Sequence, residues 1–495
     1  MINEVNDQLG GAQLSRKAAK GIAWNFLAYG LGKGTVLLTT SILAHIMTKD
    51  DLGIVALALV ALNFLSIVKD FGLGAALIQR RGNVEDAAHT VFTFNLILGV
   101  VLSALVFPLS PLIANYYGNP VIAPVLRFLG LSFAINALGA VHVLLLMRGL
   151  DYRRKFIPDM GNAIVKAIVS IGMASTGFGV WSLVWGQISG AVVSVILVWI
   201  LVPWKPHLAL DSTIARDLLR FGTSVMGVDM ITVITDNIDY LVVGRLFGLA
   251  QLSVYTYAYR LPEMLLIGNL WVMGSVIFPA FSTIQDRPDQ LKRGFLISVR
   301  LVQLIAAPIC FGLFIAAAPI VKVVFGNDWL DVIPMLRILA IFAWVYSVGF
   351  HIGGVYKAIG RPDILFKLSL LTLATLVSAV FIGSLFGTIG VAWGVLIAVI
   401  IRRVASLAVA KKFANIDLLD VFEEIKSSLA GGLVMTIIVF IVLSMTSQSA
   451  QWVQLILAMV TGAISYFGIL WLIERDNLLR LASFIGVSKK ADLVD

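Results

Sequence analysis

The sequence predicts an all-α membrane protein of fourteen transmembrane helices, built as two parallel six-helix repeats followed by a terminal pair. Three observations predict it: composition, the placement of basic residues, and internal self-similarity. Of 495 residues, 59% are hydrophobic and only 13% are charged, against roughly 45–50% and about 25% in soluble domains. Mean hydropathy is +0.95, more apolar surface than a water-soluble core can hide. Soluble enzymes, nucleic-acid binders and disordered scaffolds are excluded on this ground.

The elements follow in order. Residues 1–20 form a polar segment ending in Arg16, Lys17 and Lys20. The apolar run from 21 to 47 is too long for a signal-peptide core and stays as the first crossing. Further runs of roughly 20 residues or more fall near 52–77, 89–114, 121–147, 157–175 and 180–202, closing a first lobe at 21–202. After a linker at 203–218 come 219–246, 251–280, 294–318, 332–356, 364–385 and 388–410, a second lobe at 219–410. A linker at 411–426 leads to the runs 427–446 and 452–473, and a tail covers 474–495. Gly, Pro, Asn or charge clusters bound the runs, as breakers do. The pieces near 203–220, 281–293 and 411–426 mix charge with Leu, Phe or Ile and read as short interfacial helices.

An even helix count places both termini on one side, and the basic residues test it. Of 37 Lys and Arg, 28 fall in the N-terminal segment, the even-numbered connections, the tail and the ends of runs adjoining them (Arg220, Arg300, Lys367, Arg402 and Arg403); three, Lys49, Arg245 and Lys322, fall in or beside the odd-numbered ones. One missed crossing would invert every later loop, so this split places both termini in the cytoplasm. The net charge of +9 is therefore a matter of orientation and points to no nucleic acid. The single cysteine, Cys310, excludes an intrachain disulfide, and the five scattered histidines carry no metal-ligand spacing.

Self-similarity supplies the repeat. PVLRFLGLSFAINALG at 124–139 aligns with PMLRILAIFAWVYSVG at 334–349, pairing Pro124 with Pro334, Arg127 with Arg337 and Gly139 with Gly349 at an offset of 210. Gly179 and Val180 match Gly390 and Val391 at 211, and Leu52 matches Leu252 at 200. A period of six helices gives both halves the same orientation, as in transporters built from parallel repeats around a central cavity.

Ionisable side chains at bilayer depth cost about 2.5–3.5 kcal/mol on insertion scales, so they face protein or water. In the seventh helix Asp229, Asp236 and Asp239 span an arc of about 80° at 100° per residue, with Thr232 beside them. In the eighth, Ser253, Thr256, Arg260 and Glu263 share a face with Tyr257 alongside. If the hairpin turns near Gly248, Asp236 and Arg260 are level, as substrate contacts or as a structural ion pair. The first helix carries Lys33 with Tyr29 and Thr40, and the second carries Asn63, Ser66 and Asp70. Lys33 snorkels, meets an aspartate of another helix, or awaits an anionic ligand. Lys166, one turn after Asn162, repeats that argument. Tyr257 either stacks on a sugar ring or packs, and Arg127 and Arg337 read as anchors.

The segments KDFGLGAALIQR at 69–80, DNIDYLVVGRLFGLAQLSVYTYAYRLPEML at 236–265 and VIFPAFSTIQDRPDQLKRGF at 276–295 resemble the polysaccharide transporter family. That family comprises Wzx-like lipopolysaccharide and exopolysaccharide flippases, within the superfamily of multidrug extruders and lipid II flippases. The resemblance runs from about residue 17 to about residue 475. It implies a two-lobed fold that moves an undecaprenyl-pyrophosphate-linked oligosaccharide outward across the bacterial inner membrane by alternating access. A polysaccharide polymerase and a chain-length regulator are implied partners. In related lipid II flippases, basic residues of the first and eighth helices are implicated in the pyrophosphate site, and Lys33 and Arg260 occupy those helices here, without the exact motif. No Walker-type loop is present. The expected drive is the membrane potential, or H+ or Na+ bound at Asp236, Asp239 or Glu263, with no other cofactor.

Two alternatives stand beside this reading. A cation-coupled multidrug antiporter shares the fold, but Lys33 falls where that class generally has an acid. A membrane-embedded polymerase or ligase calls for a large periplasmic loop, and no connection here exceeds about 25 residues. The topology is directly testable. A cysteine at residue 49 (Lys49→Cys) should label from outside the cell, and one at residue 154 (Arg154→Cys) only from the cytoplasm; the reverse pattern overturns the orientation.

Overall fold

The computed structural model describes residues 11–70, 74, 77–78 and 84–484, with side chains described outside 11–23, 25–29, 68–70, 212–229, 275–276 and 475–484. Every regular element among them is helical. Hydrocarbon offers backbone N–H and C=O groups no partner, and a helix satisfies them within itself. The long helices are α1 (Gly11–Ile46), α2 (Lys49–Asp70), α3 (Val84–Tyr117), α4 (Ile122–Arg148), α5 (Tyr152–Ser175), α6 (Val180–Leu201) and α7 (Ser212–Phe247). They continue with α8 (Leu249–Thr283), α9 (Pro288–Ile315), α10 (Val332–Ala358), α11 (Pro362–Ser384), α12 (Gly387–Ala414), α13 (Leu418–Met445) and α14 (Gln451–Phe484).

Twelve of these are long and apolar enough to cross a membrane. The other two, α1 and α7, are each 36 residues long, which at 1.5 Å per residue is ample length. Both carry the charged residues singled out above, and the count of fourteen rests on them.

Helix starts recur at a nearly constant interval. Lys49 and Leu249, Ile122 and Val332, Tyr152 and Pro362, and Val180 and Gly387 are each 200–210 residues apart. Packing groups the chain into two units, Met1–Thr256 and Tyr257–Asp495. Within the first, α3 packs on α4, α4 on α6, and α5 on α6; within the second, α9 packs on α10, α10 on α12, and α11 on α12. The α5–α6 hairpin closes over glycines: a Cβ on Gly186 would sit 1.9 Å from Ser170 Oγ, and one on Gly190 2.9 Å from the Asn162 carbonyl oxygen. In α11–α12 a Cβ on Gly390 would meet the Gly383 carbonyl at 2.1 Å, and one on Gly394 the Ala379 carbonyl at 2.4 Å. Small residues let helices touch where lipid supplies no hydrophobic drive.

Three expected interfacial helices are absent. Residues 202–210 run without regular structure, because Pro203 and Pro206 remove donors and disfavour helix before them. That segment lies on α3 and α4: the His207 and Ala209 backbone N–H groups donate to His89 Nδ1 at 3.2 Å and Thr93 Oγ1 at 3.1 Å, and His142 Nε2 lies 3.2 Å from the Trp204 carbonyl. The polar residues near 281–293 and 411–426 belong to the ends of crossings instead. α8 runs to Thr283 before α9 opens at Pro288, and Asn415 at φ 51 turns α12 into α13 behind an Asp417–Asp420 capping box.

The repeat is also uneven. Gly139 lies inside an unbroken helical stretch of α4, whereas Gly349, at φ 62, breaks α10 between Ser347 and Ile352. The close approaches predict that Gly394→Leu lowers the melting temperature in detergent, by overpacking worth about 1–3 kcal/mol. Gly172→Leu, where no heavy atom lies within 4 Å, should leave it unchanged.

Candidate functional site

A buried polar cluster of the first unit joins α7 to the start of α8. Gly248, at φ 85, makes the tight turn that a side chain would strain. The turn sets Asp239, 4% exposed, against Tyr255, which is fully buried. The Tyr255 hydroxyl donates to Asp239 Oδ2 at 2.7 Å, the Tyr240 N–H donates to Oδ1 at 3.0 Å, and the Tyr240 and Tyr255 rings meet edge to face at 5.5 Å. The carboxylate is answered from both oxygens and pins two crossings together. Two residues earlier Asn237, 7% exposed, donates to the Val233 carbonyl at 2.8 Å.

The acidic stripe therefore splits. Asp239 is buried while Asp236 is exposed, so 60° of helix separates a structural group from an accessible one. Asp229 lies outside the described side chains, as do Asp70 and Tyr29. On α1, Lys33 is half-buried and Thr40 is buried. Helix α1 packs on α5, which brings Lys166 onto a neighbouring helix. Lys166 is half-buried and donates through Nζ to Gln187 Oε1 on α6, where Gly186 and Gly190 bring α6 close.

In the second unit, Tyr257 is 4% exposed. Its ring stacks on Trp329 at 4.4 Å and 17° and meets Phe325 at 5.1 Å, with the Arg260 guanidinium 6.0 Å from its centroid. These contacts commit Tyr257 to aromatic packing, the second of the two readings given to it. Arg260 is half-buried and Glu263 exposed. Glu263 opens a π-helical turn, Glu263–Ile267, inside α8. Such widened turns shift the register of everything beyond them and recur at functional sites. Arg127 anchors α4 by donating from Nε to Ser110 Oγ at 2.9 Å.

Sequence reasoning missed a second polar cluster, at the break in α10. Gln303 Nε2 donates to Ser347 Oγ at 2.8 Å, and Arg403 of α12 donates through Nη2 to the Tyr346 carbonyl while lying 5.0 Å over that ring. Arg403 is 7% and Gln303 0% exposed. The guanidinium sits where the first half of α10 leaves carbonyls without helical donors, at the negative end of that half-helix. The readable signal was Gly349 within an apolar run; the partner Arg403 carried none, being one of a basic pair near a predicted helix end. Among the described residues, no three His, Cys, Asp or Glu lie close enough to hold a metal ion.

Comparison with known proteins supplies a lineage. The profile of the family described as polysaccharide biosynthesis protein matches residues 42–334. The chain is 28% identical over 406 residues to the lipopolysaccharide biosynthesis protein WzxC of Escherichia coli K12, covering 81% of this chain and 82% of that one. It is 25% identical over 481 residues to the succinoglycan biosynthesis transport protein ExoT of Rhizobium meliloti, covering 96% and 97%. Among solved structures, the inward closed conformation of the lipid II flippase MurJ superposes with a TM-score of 0.73 at 16% identity, over 93% of this chain and 100% of that one. At that identity the likeness establishes a common fold.

The Asp239–Tyr255 bond makes a local prediction. Tyr255→Phe leaves a buried carboxylate oxygen without its donor and should cost about 1–3 kcal/mol, read as a lower melting temperature in detergent. Asp239→Asn keeps an acceptor and should cost less.

Proposed function

Since the chain belongs to the polysaccharide biosynthesis protein family, we propose that it is a flippase. It carries an undecaprenyl-pyrophosphate-linked oligosaccharide from the cytoplasmic to the periplasmic leaflet of the bacterial inner membrane, and it makes and breaks no covalent bond. One observation carries the reading. Ionisable groups are set along the long helices (Lys33 on α1, Asp236 on α7, Arg260 and Glu263 on α8), while the described connections between them hold at most short helices, Ala317–Val324 and Asn327–Trp329. Groups so placed serve a cargo that passes through the protein, and the relatives' names as transport and polysaccharide biosynthesis proteins support that use.

Under this reading α1 and α7 cross the membrane with the other twelve helices, and both termini are cytoplasmic. Lys33 and Arg260 receive the pyrophosphate, since long cationic side chains follow a moving anion and form charge-assisted hydrogen bonds to phosphate oxygens. Asp239 is already held by Tyr255 and Lys166 by Gln187, so both are assigned to holding helices together.

A headgroup with about two negative charges moving outward across roughly 100 mV releases about 4–5 kcal/mol, enough to bias the outward step. H+ or Na+ on Asp236 or Glu263, the exposed carboxylates, supplies the return. Downstream, a polysaccharide polymerase and its chain-length regulator receive the product. Purified protein in vesicles tests this: Lys33→Ala and Arg260→Ala should each slow translocation of the lipid-linked sugar about tenfold or more, the loss of one charge-assisted contact. Full activity in both variants removes these residues from the mechanism.

A further inference from the structure

Three of the chain's five histidines gather where the segment between α6 and α7 lies on α3 and α4. The His89 ring stacks on Trp204 of that segment at 5.0 Å and 27°, and its centroid is 3.5 Å from that of His207. The His142 ring meets Trp204 edge on at 5.3 Å. His89 and His142 are 3% and 0% exposed, whereas His207 is exposed.

The segment is held by its backbone. The N–H groups of residues 207, 209 and 211 reach one face of α3, as alternate groups of an extended chain do. His207 donates to His89 Nδ1 at 3.2 Å, Ala209 to Thr93 Oγ1 at 3.1 Å and Asp211 to Thr90 Oγ1 at 3.4 Å. The two threonines give their own protons to the Asp86 and His89 carbonyls of α3, so each hydroxyl oxygen remains an acceptor at every pH. His89 differs. An N–H aimed at Nδ1 requires a bare lone pair there, so the ring is neutral and carries its proton on Nε2. A second proton has only Nδ1 to occupy, where it turns the acceptor into a donor facing a donor. His142 responds in the opposite way. The Trp204 carbonyl, 3.2 Å from its Nε2, fixes the proton on that nitrogen, and a protonated ring still donates from it. Of these four bonds, acid breaks the one at His89.

The ionisable groups that reach His89 are Glu85 and Asp86, exposed in the first turn of α3, and His207 on the segment. The carboxylates supply the counter-charge a protonated His89 needs, while His207, once protonated, repels it ring to ring. On α4, His142 shares Trp204 with His89, and Arg148 is turned to the Leu77 and Ile78 carbonyls. Lys205 and Asp211 of the segment are exposed.

The last of the bonds, at Asp211, falls one residue before α7 opens at Ser212, so the segment fixes where α7 begins. Taking from the flippase reading only that this segment faces the cytoplasm, we propose that residues 202–211 are an acid-released latch. Neutral His89 holds the approach to α7 on α3, and protonation of His89 lets it lift. The latch is complete above the imidazole range and is lost as pH falls through it.

The test places a nitroxide at residue 208 (Leu208→Cys) of the full chain in detergent. Leu208 is 72% exposed, and the native Cys310, at 2%, is shielded from the label. From about pH 8 to about pH 5.5, across the imidazole range, the ratio of mobile to immobile label should rise about tenfold, the worth of one hydrogen bond, and should return on neutralisation. His89→Asn offers an amide oxygen in place of Nδ1 and does not titrate, so its label should stay immobile throughout. His207→Ala keeps the backbone donor and removes the second imidazole; it should still release in acid. A native label that ignores pH overturns the latch, as does release in His89→Asn equal to the native one. Loss of release in His207→Ala gives the proton to His207 and overturns the role of His89, an outcome that can be read even where the asparagine variant does not fold. Translocation of lipid-linked sugar in vesicles separates the two claims. Release without cargo movement sinks the flippase and leaves the latch; cargo movement without release sinks the latch and leaves the flippase.

Discussion

A bilayer interior supplies no hydrogen-bond partner, so every polar group placed there must be answered by the protein itself. That constraint makes each long helix satisfy its own backbone, and several buried side chains meet it with partners of their own. Asp239 is answered by the Tyr255 hydroxyl and a backbone N–H. Lys166 is answered by Gln187 across a glycine-lined seam, and Gln303 by Ser347. Where α10 breaks and its own ladder stops, Arg403 arrives from α12 to bind the freed Tyr346 carbonyl. Apart from that backbone N–H, each bond joins different helices, so the polar groups supply the specificity that hydrophobic burial cannot provide between helices already in lipid.

The same constraint explains why small residues gather in the hairpins that close each repeat. Dispersion falls off steeply with distance, so helices without a hydrophobic drive must come very close to hold. Gly186 and Gly190 do this in α5–α6; Gly383, Gly390 and Gly394 do it in α11–α12. The Gly179–Val180 and Gly390–Val391 match has no single physical basis: Gly390 packs on Gly383 within the seam, whereas Gly179, at φ 51, lies in the turn before α6 with the Asp51 carboxylate nearest. On the open side of such a seam the backbones leave a trough, so a groove follows from the way the hairpin is held.

What was legible in the sequence was whatever repeats along it. The apolar runs gave the crossings, and the offset of 210 between Pro124 and Pro334 reappears in the starts of α4 and α10, Ile122 and Val332. Features depending on a partner distant in sequence were not legible. Asp236 and Asp239 carry the same chemical signal, yet one is exposed and one buried, because only Asp239 meets Tyr255. Tyr257 had the credentials of a sugar platform until Trp329 and Phe325 closed over it. The π-helical turn at Glu263 and the break at Gly349 depend on local backbone geometry that hydropathy does not register. The three expected interfacial helices failed for another reason. Charge mixed with Leu and Phe is also the pattern of a crossing helix that outruns the hydrocarbon, and prolines made the remaining segment extended.

Arg402 and Arg403 show how far the constraint reaches. Adjacent on α12, they point about 100° apart. Arg403 turns inward and is 7% exposed; its desolvation is offset by the carbonyl end of a half-helix and the face of Tyr346, which together act as an anion that carries no formal charge. Arg402 is only half-buried. A group already held within the protein cannot exchange partners without leaving a buried atom unanswered, so it keeps helices in place. A group on the boundary can exchange them, and only such groups can follow a charged cargo from one side of a membrane to the other. Burial, more than residue type, therefore separates the charges that build this protein from those that work in it.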